Sequence, residues 1–87
     1  MTNKEKILQF IESETEANIK ESRFDFDSCT AGVISKLLFL DRTNISRILN
    51  ELYRENILIK ISGKPIKYIS KNIFAKNYPF SSIPKII

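Results

Sequence analysis

The 87 residues suffice for one small domain with one modest core, and 43% hydrophobic with 28% charged residues is a globular balance. Histidine is absent and Cys29 is the only cysteine, which excludes the usual Cys/His zinc site, histidine-based acid–base chemistry and an internal disulfide. The net charge of +4 is uneven: residues 1–40 carry seven acids and five bases, residues 41–55 three of each, and residues 56–87 six lysines and no acid.

Thr2 and Glu5 have the spacing of a capping box, so a first helix is expected over about 3–20, with Ile7, Leu8 and Ile11 on its inner face and Ile19 returning to the core. "RFDFDS" alternates Phe24 and Phe26 with aspartates, which predicts a short extended piece with both aromatics inward. Ser28 or Thr30 is placed to cap a second helix over about 31–38 that buries Val33, Ile34, Leu37 and Leu38. Cys29 reads as a small buried or half-buried residue without chemistry. After the short "FLD" connection, Asp41 can accept from the free amides at 43 and 44 and start a third helix running to about Glu55. Asn56 suits the left-handed position that follows a helix.

The period then changes. "ILIKIS", "GK" and "PIKYIS" predict a β-hairpin over about 57–62 and 66–70, with Gly63 at positive φ and Pro65 starting the return strand. "KNIFAKNY" suits a last short helix, and 77–87 reads as a linker leading to domains not contained in these residues, leaving a domain over 1–76. The fold class expected is therefore α+β, mainly α: a winged helix-turn-helix of three helices, a two-stranded wing and a short C-terminal helix.

No phosphate-cradling glycine motif exists, since the only glycines are Gly32 and Gly63. The carboxylates Glu12, Glu14 and Glu16 are better explained as a solvated stretch than as an acid–base pair. The expectation is therefore no enzyme and no cofactor. No apolar run approaches the ~20 residues of a membrane span, and "MTNKEKILQF" lacks a signal peptide's apolar region and cleavage site. With one unpaired cysteine, a cytoplasmic location is expected.

The third helix carries the functional reading. Its apolar stripe is Ile45, Ile48, Leu49 and Leu52; its other side presents Arg42, Thr43, Asn44, Ser46, Arg47 and Asn50. Arginine reaches guanine, asparagine adenine, and serine and threonine are looser, so these six are the candidate DNA base contacts. No acid falls between Arg42 and Asn50, and short polar residues there sacrifice helix propensity that a plain surface helix would keep. Candidate backbone contacts are Ser28, Thr30, Lys60, Lys64 and Lys67, with Lys36 as a possible flank. Tyr53 and Tyr68 read as packing residues.

"DRTNISRILNELYRENILIKISGKPIKYI" resembles the N-terminal winged-helix domain of LevR-type regulators, bacterial sigma-54-dependent activators of phosphotransferase-system operons. Arg42, Asn44, Ser46, Arg47, Asn50, Glu51 and Leu52 fall on that family's recognition-helix pattern, and Ile59, Lys60, Gly63, Pro65, Tyr68 and Ile69 on its wing. Thr30, Ala31, Ile34 and Leu37 or Leu38 match the upstream pattern, so the resemblance covers about 28–75. Departures are Asn56 for glycine, Leu40-Asp41 before the third helix, Lys64 for arginine, and Gly32 in place of a helix former. The resemblance implies double-stranded promoter-upstream DNA as partner, and dimers or higher oligomers formed through an ATPase domain elsewhere in a parent chain. The alternative is a winged-helix protein–protein interaction module, which requires an apolar patch outside the core; Phe39, Tyr53 and the tail isoleucines are the candidates.

Overall fold

The computed structural model describes residues 2–77, so the linker expected over 77–87 lies outside the described residues except for Asn77, which ends a helix. Within them the chain forms a small α+β unit, mainly helical: α1 (Asn3–Lys20), α2 (Ala31–Leu38), α3 (Arg42–Arg54), β1 (Leu58–Ile61), β2 (Lys67–Ser70) and α4 (Lys71–Asn77). Four helices and one antiparallel hairpin are compatible with a winged-helix-like layout.

The capping box forms as expected. Glu5 N donates to Thr2 Oγ1 at 3.2 Å, and Thr2 N donates to Glu5 Oε1 at 3.1 Å. These bonds favour the charged form and hold the Glu5 carboxyl below its ordinary range. The inner face of α1 continues past Ile7 and Ile11 through two polar residues, Thr15 and Asn18, both buried. The Thr15 hydroxyl donates to the Ile11 carbonyl at 2.7 Å and accepts from Ser70 N at 3.0 Å. Asn18 Nδ2 donates to the Glu14 carbonyl at 2.7 Å.

Between α1 and α2 the expected alternation fails. Phe26 takes a left-handed conformation (φ 48°), which breaks the two-residue period. Phe26 is buried, while Phe24 is 54% exposed and meets it edge-on. The segment still docks on the hairpin, because the Cys29 carbonyl accepts from Tyr68 N at 2.9 Å.

Thr30 caps α2 by accepting from Val33 N at 3.3 Å. Of the four residues expected inside, only Ile34 is fully buried; Val33 and Leu38 are half-buried and Leu37 is 56% exposed. The helix is eight residues long and its apolar side extends round to Leu37, which the core does not cover. It ends at Phe39 in the left-handed region (φ 55°), with the side chain turned outward.

The Asp41 carboxylate accepts from Asn44 N at 3.1 Å and starts α3. Ile45, Ile48, Leu49 and Leu52 are all buried. Asn56 adopts φ 66° after the helix, and Ile57 N returns to the Leu52 carbonyl at 3.0 Å.

The register pairs Leu58 with Ser70, Ile59 with Ile69, Lys60 with Tyr68 and Ile61 with Lys67. Paired residues share a face. One face, with Leu58 and Tyr68, joins Ile7, Ile11, Ile34 and the α3 stripe. The other, with Ile59, Ile61 and Ile69, packs with Ile19, Phe26, Cys29 and Phe74 of α4. Pro65 lies in the turn rather than the return strand, which begins at Lys67, and Gly63 takes φ 151°.

Candidate nucleic-acid interface

The stripe that buries Ile45, Ile48, Leu49 and Leu52 fixes which side of α3 faces out. Arg42, Thr43 and Arg47 are exposed there, with Asn44, Ser46 and Asn50 half-buried beside them. The six candidate base-contact residues therefore share one surface, with the Glu51 carboxylate beside Arg47 and Asn44.

That surface is internally tied. The Arg47 guanidinium donates through Nη1 to Glu51 Oε1 at 2.8 Å and through Nη2 to Asn44 Oδ1. Lys4 of α1 sits 3.8 Å from Glu51 and 2.8 Å from Glu55, so the acids closing α3 are answered from outside the helix. Asn50 Oδ1 accepts from the Tyr68 hydroxyl at 3.1 Å. Burial and the neighbouring Tyr53 raise the Tyr68 pKa, keeping its hydroxyl a donor. Arg42 extends over the start of α2: its Cζ lies 3.9 Å from where a Cβ on Gly32 would stand.

The lysines divide. Lys60 shares the hairpin face that meets α3, and its ammonium lies 5.5 Å from the Tyr53 ring centroid. Lys64 is exposed at the hairpin turn. Lys67 sits on the opposite face, where its ammonium bonds the Asp25 carbonyl and pairs with the Asp27 carboxylate at 3.0 Å. The remaining backbone candidates are also engaged. The Ser28 hydroxyl donates to Glu14 Oε1, and Thr30, 4% exposed, is spent on its cap. Lys60 thus lies beside α3 and Lys64 is exposed at the hairpin turn, while Ser28, Thr30 and Lys67 are engaged by partners within the fold.

Sequence reasoning missed two participants. Tyr68, expected as a packing residue, also donates its hydroxyl to Asn50, and Glu51, to which the sequence assigns no role of its own, holds Arg47. The signal for Glu51 was its spacing of four residues after Arg47 on one helix. For Tyr68 only the hairpin register supplies it.

Among the described residues no group of three or more Cys, Asp or Glu is arranged to hold a metal ion, and no helix is long and apolar enough to cross a membrane. Set against known proteins, the chain matches no family model, no curated protein and no solved structure.

Proposed function

We propose that this domain binds double-stranded DNA sequence-specifically as the winged helix-turn-helix of a bacterial, cytoplasmic transcription regulator. In this reading α3 enters the major groove by its N-terminal half, and the hairpin is the wing that follows the backbone. One observation carries it: Arg42, Thr43, Asn44, Ser46, Arg47 and Asn50 share one outward surface whose single bordering carboxylate, Glu51, is paired with Arg47, and Lys60 and Lys64 lie on the hairpin that follows. Such a surface matches a groove walled by phosphates and lined with polar base edges. The resemblance to sigma-54-dependent activators supports a role as their DNA-binding module, with a partner copy supplying a second half-site.

Fluorescence anisotropy with duplex DNA across a salt series tests this. Affinity should fall steeply as salt rises, and Lys64→Ala should reduce the salt slope by about one. Arg47→Ala should cost roughly 1–3 kcal/mol at the preferred site. Salt-independent binding, or none to any duplex at low salt, would sink the proposal.

A second reading, a protein–protein interaction module, draws on Leu37 and Phe39, which are 56% and 92% exposed at the α2–α3 turn. It predicts that Phe39→Ala impairs the domain's interaction while Arg47→Ala does not. The DNA reading predicts the reverse.

A further inference from the structure

The two asparagines on the outward surface of α3 are not free amides. Asn44 Oδ1 accepts from Arg47, and a guanidinium can only donate, so the contact fixes which end of the amide faces it. Asn50 Oδ1 accepts from Tyr68, whose ring is buried in the core beneath. An amide held by its oxygen from inside the fold turns its nitrogen outward. Bidentate recognition of adenine needs both ends turned out, the oxygen for N6 and the nitrogen for N7. Arg42 and Arg47 add only donors, and the one bordering carboxylate, Glu51, is occupied by Arg47 Nη1.

We infer that α3 presents a hydrogen-bond donor surface whose partner is an acceptor-rich base edge, guanine N7 and O6 above all, and that Tyr68 sets this preference by orienting Asn50. The inference rests on the DNA-binding reading and sharpens what that reading expects: asparagine here selects against the adenine amino group instead of pairing with it. Tyr68 touches no base in this arrangement; it is a positioning residue acting through Asn50. The contact through which it acts is the 3.1 Å bond its hydroxyl donates to Asn50 Oδ1.

The test is selection from a random duplex pool by the intact 87-residue chain, followed by affinity measurements on chemically altered winners. The wild-type protein should enrich guanine opposite α3. Replacing that base by a deazaguanine lacking N7 should weaken binding roughly five- to tenfold, the weight of one or two base-edge bonds. Tyr68→Phe frees the Asn50 amide to rotate and should admit adenine at one position without changing the rest of the site. Asn50→Asp turns the same position into an acceptor and should move its preference towards cytosine, whose N4 donates. Asn50 lies on the surface, so this variant carries the test if circular dichroism shows Tyr68→Phe unfolded. Enrichment of adenine by the wild type, with affinity lost when unsubstituted purine removes N6, overturns the inference and leaves DNA binding standing. So does a folded Tyr68→Phe variant, or an Asn50→Asp variant, whose preferences equal the wild type's. No enrichment of any duplex at low salt overturns both.

Discussion

Ser70 N donates to Thr15 Oγ1 over 3.0 Å, joining the end of β2 to the middle of α1 across 55 residues of sequence. The same hydroxyl donates to the Ile11 carbonyl, so one buried oxygen serves two elements. Thr15→Val keeps the shape but leaves the Ser70 amide without its acceptor, and should destabilise the fold by about 1–3 kcal/mol. Thr15→Ser keeps the hydroxyl and loses one methyl, so it should cost about 1 kcal/mol. Urea unfolding followed by circular dichroism separates the two; equal losses would show that the hydroxyl is unimportant.

Phe39 holds a left-handed conformation (φ 55°) with a side chain that is 92% exposed. Its ring contributes little packing, while its Cβ makes the backbone strained. Phe39→Gly should therefore stabilise the domain by about 0.5–1 kcal/mol, an unusual gain for deleting an aromatic ring. A lower unfolding midpoint would mean that the ring contributes to the fold.

Gly32 lies in the first turn of α2, where glycine loses more backbone freedom on folding than alanine would. A methyl there would meet the Arg42 Cζ at 3.9 Å, ordinary van der Waals contact. Gly32→Ala should raise stability by about 0.5–1 kcal/mol, read as a higher urea midpoint.

Burial pushes the Cys29 thiol up to about 12 from 9.0, with the Glu14 carboxylate adding to the shift. The unfolded thiol ionises first, so the native state keeps its full stability below about pH 9 and loses part of it as pH rises towards 12. Cys29→Ala should flatten that alkaline loss when urea midpoints are compared at neutral and alkaline pH. The wild-type thiol should also resist a thiol-specific reagent at neutral pH until urea is added.

Elements with a local chemical signal were legible in the sequence. The Thr2–Glu5 box, the Asp41 cap, the stripe from Ile45 to Leu52 and the left-handed Asn56 depend on residues within a turn or two of each other. What escaped depends on neighbours distant in the chain. Thr15 and Asn18 look like solvent-facing residues until β2 and α4 cover them. Leu37 looks buried because nothing local shows how little of α2 the core can cover. Lys60 and Lys67 look equivalent as lysines on strands, yet the register puts them on opposite faces, one beside Tyr53 and the other on Asp27. Of the candidate contacts, the α3 set was readable from helical spacing alone, whereas sorting the lysines and hydroxyls required the tertiary structure.

The hairpin register also bears on self-association. Tyr68 and Ser70 turn their amides away from β1, and these amides meet the Cys29 carbonyl and the Thr15 hydroxyl. That outer edge of β2 is closed to strand addition by another chain, the route by which exposed sheet edges template aggregates. The edge of β1 spans four residues and carries Lys60, whose charge discourages stacking of copies. An isoleucine-rich hairpin in a small domain is an aggregation hazard by composition, and its two edges are guarded by different means: one by pairing, the other by brevity and charge.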